Sequence, residues 1–178
     1  MKQLWGRLEA WAQKQGQSLR LRSGVTERSI TAAEKQMKLQ FPDDMRESLL
    51  LFDGQDSALQ PLMWSPGCGY LATLEEIVAQ HAESVDDAEE YESPDEPKAT
   101  DAGKSKKQAQ DGGRIRNVLF DAKRIPIAGA PYFDGDVTYI DLDPGPKGVC
   151  GQIITLTSEC DFIVLGSTLR EHLTSYIE

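Results

Sequence analysis

The sequence predicts an α+β fold in which N-terminal helices and a C-terminal helix pack on a twisted antiparallel sheet of about four to six strands. Apolar residues recur at helical spacing through much of residues 1–82 and again at the C-terminus. Between these parts, residues 124–156 contain three short apolar runs separated by turns rich in proline, glycine and aspartate. This alternation of short runs and turns is typical of an antiparallel meander.

Five helices are predicted, and each has a start or stop signal or an amphipathic stripe. They cover residues 1–16, 27–39, 43–53, 73–82 and 168–177. Thr26 is a good N-cap for the second helix. Residues 73–76 (TLEE) and 168–171 (TLRE) are capping boxes, in which the threonine and the glutamate satisfy backbone donors at the helix start. Gly54 is predicted to end the third helix as a left-handed C-cap residue.

The predicted strands of the sheet have period-two alternation or short continuous apolar character. They are residues 124–128, 137–142, 152–156 and 161–165, with 115–120 expected to begin the sheet. The strand over 137–142 is expected to be central, because both of its faces carry bulky side chains. Short extended pieces are also predicted at 19–21 and 61–63.

The chain has 178 residues and a net charge of −10. This length predicts a single globular domain over residues 1–178. Residues 83–97 carry eight acidic side chains and no basic one, and 98–116 carry six basic and two acidic side chains. We therefore predict a mobile charged insert at about 83–113. Nucleic acid is not an expected partner, because phosphate binding needs a concentrated basic patch.

The sequence predicts a cytoplasmic protein with no membrane partner and no cofactor. No apolar run approaches the roughly 18 residues of a membrane helix, and the N-terminus lacks the features of a signal peptide. The three cysteines, Cys68, Cys150 and Cys160, are an odd number without a Cys-x-x-Cys spacing. They are expected to be free thiols in a reducing compartment rather than zinc ligands.

A cluster of four aspartates is the one candidate for catalytic or metal chemistry. Its members are Asp134, Asp136, Asp141 and Asp143. A metal-dependent hydrolase built on this cluster is the less favoured alternative, because aspartates at these positions also suit turns and strand ends. Nucleophile and phosphate-loop motifs are missing, and His81 and His172 are expected to be structural. The sequence therefore predicts no enzyme.

Several short motifs, in order, resemble those of the SUKH superfamily of Smi/Knr-type proteins. In the second half they are Ile-Pro-Ile-Ala at 125–128, Gly-Asp at 135–136, Asp-Leu-Asp-Pro at 141–144 and Gly-Gln-Ile-Ile at 151–154. In the first half they are the helix over 26–34, Phe41-Pro42 and residues 51–54 (LFDG). The resemblance covers nearly the whole chain apart from about residues 83–116.

The resemblance implies a protein-binding module, since the superfamily includes fungal cell-wall-synthesis regulators and many bacterial immunity proteins. The favoured interpretation is an immunity protein that neutralises a cognate toxin by binding it, and the alternative is a regulatory scaffold. We expect aromatic anchors and carboxylates to form the binding surface. These are Trp64, Tyr70, Tyr132, Asp134, Asp136 and Asp143. The identity of the partner and the oligomeric state stay open.

Overall fold

The structure, a computed structural model, describes residues 1–56, 63–64, 67–68, 70–91, 112–116, 118–129, 136–157 and 161–178. The helices are α1 (Lys2–Lys14), α2 (Glu27–Met37), α3 (Asp43–Leu51), α4 (Leu74–Tyr91) and α5 (Leu169–Ser175). The first strands are β1 (Leu21–Ser23), β2 (Phe52–Gln55), β3 (Met63–Trp64), β4 (Gly67–Cys68) and β5 (Tyr70–Leu71). The later strands are β6 (Arg124–Gly129), β7 (Val137–Asp141), β8 (Gln152–Leu156) and β9 (Phe162–Gly166).

The main sheet has five antiparallel strands in the order β5-β6-β7-β8-β9. Its register places Ile140 of β7 between Ile125 of β6 and Ile153 of β8. The pairs β1–β2 and β3–β4 form two small antiparallel sheets beside it. The α+β prediction is confirmed, and β7 is the central strand, as its two bulky faces predicted.

The hydrophobic core lies between the helices and one face of the main sheet. The sheet contributes Ile125, Ile127, Ile140 and Ile153, which are all buried. The helices contribute the buried side chains Leu4, Trp5, Leu8, Ile30, Met37, Met45, Leu49, Ile77 and Leu173. The indole Nε1 of Trp5 donates to the Ser48 hydroxyl at 3.0 Å. The α1 helix therefore packs its apolar stripe inward, as predicted.

The predicted capping residues occupy the starts of their helices. Thr26 Oγ1 accepts from the Ser29 N–H at 3.2 Å. At the start of α4, the Glu76 carboxylate accepts from the Thr73 N–H at 2.7 Å, and the Thr73 hydroxyl accepts from the Glu76 N–H at 3.2 Å. Local capping chemistry thus fixes where these helices begin.

The helices α1, α2 and α5 each end two residues before the predicted position, and the ends of α3 and α4 differ in ways that change the neighbouring structure. The α3 helix ends at Leu51, and Phe52 begins β2, so Gly54 lies inside a strand instead of ending a helix. The α4 helix continues to Tyr91, nine residues past the predicted end at 82. Ser84, Val85 and Ala88 are half-buried and extend the packed stripe of α4, although acidic residues separate them. The remainder of the predicted charged insert falls mostly outside the described residues.

The prediction of a strand over residues 115–120 is wrong. Residues 115, 116 and 118–120 lie outside every strand, and the main sheet begins instead with β5, which pairs with β6. Carbonyl groups of this segment accept hydrogen bonds from the side chain of Arg124. Because these acceptors are used by a side chain, the segment does not form a strand ladder. None of the described helices combines the length and the apolar character of a membrane span.

His172 of α5 is an interior residue that should make the fold sensitive to acid. Only 3% of the residue is exposed, and its ring packs edge-on against Tyr176 with centroids 5.2 Å apart. Burial lowers the pKa of His172 from 6.5 to about 4. The folded state therefore favours the neutral imidazole over a pH range in which the unfolded chain binds a proton.

We expect the His172 contribution to stability to be complete above pH 6.5 and to fall as the pH drops towards 4. The loss should total roughly 3 kcal/mol, because each pKa unit corresponds to about 1.4 kcal/mol. Urea unfolding at several pH values measures it. In a His172→Gln variant the same decrease should be smaller by this amount. Equal decreases in both proteins would contradict the role of His172.

Candidate protein-interaction surface

The described members of the predicted binding surface lie at opposite ends of the main sheet. Tyr70 pairs with Gly129 at the end of β6, and Asp136 directly precedes β7 at the same end. Asp143 follows the other end of β7. A five-residue strand spans roughly 15 Å, so at least about this distance separates the backbones of Asp136 and Asp143. Trp64 ends β3, and Tyr132 and Asp134 lie outside the described residues.

Tyr70 is buried, whereas an aromatic anchor of a binding surface was expected to be exposed. Only 7% of the residue is accessible, and its hydroxyl donates to Glu76 Oε1 at 3.3 Å. Glu76 is also the capping glutamate of α4. Tyr70 therefore fastens β5 to the start of α4, and its binding role stays a prediction.

Asp143 is compensated by basic neighbours. Its carboxylate forms ion pairs with Arg116, and with Lys123 at an Nζ–Oδ2 distance of 3.4 Å. All three side chains are partly exposed, so each pair contributes about 0–1 kcal/mol to stability. The two nearby cations offset the negative charge with which Asp143 was expected to attract a binding partner.

Asp141 differs from Asp136 and Asp143 because it is completely buried. Its carboxylate accepts from Gln152 Nε2 at 3.0 Å and from the Asp143 N–H at 3.2 Å. Burial raises the pKa of Asp141, and the hydrogen bond from Gln152 and the charge of Arg124 oppose that rise. Within the described ranges, no three His, Cys, Asp or Glu side chains are grouped to hold a metal ion. The predicted absence of a metal cofactor stays a prediction.

Arg124 is a buried arginine for which the sequence predicted no special role. Only 2% of the residue is exposed, and it lies opposite Asp141 in the β6–β7 register. Its guanidinium donates to the Val118 carbonyl at 2.6 Å and to the Arg116 carbonyl at 2.9 Å. The same group lies 4.5 Å above the ring centroid of Phe162, in cation–π geometry.

Gln152 of β8, two strands away from β6, binds a further carbonyl of the same part of the chain. Its Nε2 donates to the Arg114 carbonyl at 2.9 Å and to Asp141. Arg124 and Gln152 therefore hold Arg114, Arg116 and Val118 against the sheet face opposite the helices. The sequence signal for this role was the position of Arg124 at the start of the apolar run 124–128, which was predicted to be a strand. Its partners are backbone carbonyls, which no residue type reveals.

A groove of about 520 Å³ lies beside the start of α3, and we call it the acidic groove. Its apolar side is formed by Phe41, Pro42, Leu142, Cys150 and Gly151. Its charged lining is formed by Asp43, Asp44, Glu47 and Arg170. Two helix starts and the β7–β8 connection meet here, so residues distant in sequence share one depression.

The acidic groove carries three carboxylates and two cations that pair with them, which are the Arg170 guanidinium and the N-terminal ammonium of Met1. Asp44 Oδ2 accepts from the Arg170 N–H at 3.0 Å, at the start of α5. Glu47 Oε2 accepts from Arg170 Nη2 at 3.3 Å and from the Met1 ammonium at 3.2 Å, so one net negative charge remains in the acidic groove. Asp43 and Glu47 are exposed, and the positive end of α3 favours the acidic residues of its first turn.

The Cys150 thiol, on the apolar side of the acidic groove, is also exposed and donates to the Leu142 carbonyl at 3.3 Å. This arrangement suits a ligand that combines apolar contact with positive charge.

Two fungal proteins are similar to this chain over most of its length. "Cell wall biosynthesis/cell cycle regulator smi1" of Schizosaccharomyces pombe is 32% identical over 165 residues, which are 88% of this chain and 31% of that protein. "Cell wall assembly regulator SMI1" of Saccharomyces cerevisiae is 24% identical over 196 aligned residues, covering 97% of this chain and 39% of that protein. The chain thus spans between three and four tenths of the length of these relatives.

The family model described as "SMI1 / KNR4 family (SUKH-1)" matches residues 24–175. The match covers most of the chain, and it runs from the segment before α2 to the last residue of α5. It also spans the segment predicted as a charged insert. The resemblance to SUKH proteins is confirmed, and this chain belongs to the SMI1/KNR4 (SUKH-1) family.

Proposed function

We propose that this chain is a non-enzymatic protein-binding module of a regulatory protein. The two fungal relatives are named as cell-wall regulators, and they align with most of this chain. Neither name mentions toxin immunity. The two names therefore support a regulatory role, whereas the sequence alone favoured toxin immunity.

The acidic groove is the single structural observation that carries the proposal. An apolar side next to three carboxylates complements a partner segment with a lysine or arginine beside an apolar side chain. Nucleic acid is a poor alternative, because its phosphates would face these carboxylates and a chain of net charge −10. The proposed partner is therefore a protein with a basic, partly apolar segment.

Charge reversal at the exposed rim tests this binding site. The variant Asp43→Lys with Glu47→Lys should bind the partner about tenfold more weakly or worse, chiefly through slower association. The full chain, tagged in cells of its own organism, is used for affinity purification with quantitative mass spectrometry. Partners that depend on the groove are those lost with this variant.

The matched control is Glu9→Lys with Asp86→Lys, which changes the net charge equally at exposed sites on α1 and α4. This control should retain the partners. If both variants lost the same proteins equally, the effect would come from total charge and the groove would not be the site. Retention of every partner by the groove variant would also overturn the proposal.

The loops near Trp64–Tyr70 and Pro131–Asp136 are a second proposed contact, carried over from the aromatic and acidic residues predicted there. Asp136 is half-buried and lies at this end of the sheet. An Asp136→Lys substitution should slow association if these loops contact the partner, because charges at an interface rim act mainly on the on-rate. An unchanged on-rate would exclude Asp136 from the contact.

Toxin immunity is the second candidate function, and it rests on the SUKH resemblance together with the acidic groove. A basic toxin surface would suit this groove as well as a regulatory partner would. Co-expression with a toxin gene found next to this gene tests it directly. Protection of the cells and recovery of a complex would favour immunity. Unprotected cells and no complex would leave the regulatory proposal alone.

A further inference from the structure

The strand β9 forms one edge of the main sheet, and its chemistry differs from that of the opposite edge. At the opposite edge, Gln55 Oε1 accepts from the Leu71 N–H of β5 at 2.9 Å. A side chain therefore occupies a donor that a foreign strand would need. Among the described strands, none pairs with the outer side of β9. Its sequence, Phe-Ile-Val-Leu-Gly, contains no charge and no proline to discourage pairing.

The register of β8 and β9 identifies the backbone groups that point outward. Leu156, Thr155 and Ile154 face Phe162, Ile163 and Val164 in turn. The Thr157 N–H donates to the Asp161 carbonyl at 2.9 Å, so this pair at the start of the ladder is hydrogen-bonded. Antiparallel pairs alternate between hydrogen-bonded and non-hydrogen-bonded. The N–H and C=O groups of Phe162 and Val164 therefore point away from β8.

We propose that two copies of this chain pair antiparallel along β9, around a twofold axis at Ile163. In this register Phe162 of each copy lies opposite Val164 of the other. These are the residues with outward backbone groups, so each copy supplies the donors and acceptors that the other needs. The two five-stranded sheets become one continuous sheet of ten strands.

The side chains of β9 complement one another in the same register. Phe162 and Val164 form an aromatic and β-branched pair twice, on the sheet face away from the helices, and such cross-strand pairs stabilise sheets. Ile163 is 42% exposed and meets its own copy at the axis. That position is a non-hydrogen-bonded pair, in which opposing Cα atoms approach to about 4.5 Å. The pairing thus covers one of the chain's exposed large apolar side chains.

Sedimentation velocity of the purified full chain tests the proposal without any partner protein. We expect a dimer that dissociates on dilution and strengthens with salt, because two copies of net charge −10 repel each other at long range. Ile163→Lys, which places like charges at the axis, should weaken the dimer by about tenfold or more. Val149→Lys is the matched control, since Val149 is 50% exposed and lies outside β9. It should leave the dimer intact.

Cysteine crosslinking tests the register itself, in a chain whose three native cysteines are replaced by serine. Ile163→Cys should form an intermolecular disulfide under oxidation, because about 4.5 Å between Cα atoms lies within disulfide range. Val164→Cys, whose partner would be Phe162, should crosslink far less. A monomer up to hundreds of micromolar would overturn the proposal and leave this edge for another protein's strand. A dimer insensitive to Ile163→Lys and without the Ile163→Cys disulfide would equally overturn it.

Discussion

Replacing Arg124 with methionine should lower the free energy of unfolding by roughly 3–5 kcal/mol, because it breaks a buried charged network from one side. Asp141 would remain buried without its cationic neighbour, and the carbonyls of Arg116 and Val118 would lose their donor. Phe162 would also lose the guanidinium above its ring. Urea denaturation monitored by circular dichroism measures the change.

Two further variants separate the Arg124 network from a general effect of removing charge. Arg116→Met removes a guanidinium that is 44% exposed, and it should cost less than about 1 kcal/mol. Combining Arg124→Met with Asp141→Leu should recover part of the loss, since an uncompensated buried carboxylate is then absent. If Arg124→Met cost no more than Arg116→Met, the fold would not depend on the buried contacts of Arg124.

Replacing Gly54 with alanine should destabilise the fold by roughly 2–5 kcal/mol, through backbone strain and steric overlap together. Gly54 has φ of +68°, in the left-handed region that side chains disfavour. A Cβ there would lie 2.7 Å from the backbone of Ala72 and of Leu71. Because both neighbours are backbone, β2 and β5 would have to separate.

Gly16 is a control that has the strain without the overlap. Its φ is +71°, and a Cβ added there meets no atom within 4 Å. Gly16→Ala should therefore cost only about 1–2 kcal/mol, the conformational penalty alone. Equal losses at both positions, measured by urea unfolding, would mean that the close approach at Gly54 contributes nothing.

The elements that the sequence predicted well depend on local chemistry. Thr26, Thr73 and Thr168 mark helix starts because a hydroxyl accepts from an N–H three residues later, within one turn. The order of the strands from β6 to β9 follows from short connections, since consecutive antiparallel runs pair with their neighbours. Such signals lie within a few residues of the feature that they control.

Features that depend on distant contacts were placed wrongly or missed. Gly54 was predicted in the correct left-handed conformation but for a helix cap, whereas the close approach of β5 accounts for its position. Nothing local distinguishes residues 115–120 from a strand, because the side chain that captures their carbonyls belongs to Arg124. The last turns of α4 were also missed, because acidic residues there interrupt the pattern of its half-buried side chains.

The candidate site was the least predictable feature. The binding surface was predicted from aromatic residues and aspartates, and it included Tyr70, which is buried, and Asp143, which is paired with two cations. The acidic groove instead combines the starts of α3 and α5 with the β7–β8 connection. The Asp44 carboxylate accepts a hydrogen bond from the N–H of Arg170, which lies more than one hundred residues later in the sequence. Only the folded chain brings these groups together.

The most direct test of the proposed partner site is nuclear magnetic resonance mapping of the complex. The ¹⁵N-labelled full chain is titrated with the basic segment of a partner recovered by the affinity experiment. Our account predicts the largest amide shift changes at Asp43, Cys150, Gly151 and Arg170, and their loss in the Asp43→Lys, Glu47→Lys variant. Shift changes confined to Tyr70 and Asp136, with the groove amides unmoved, would contradict it.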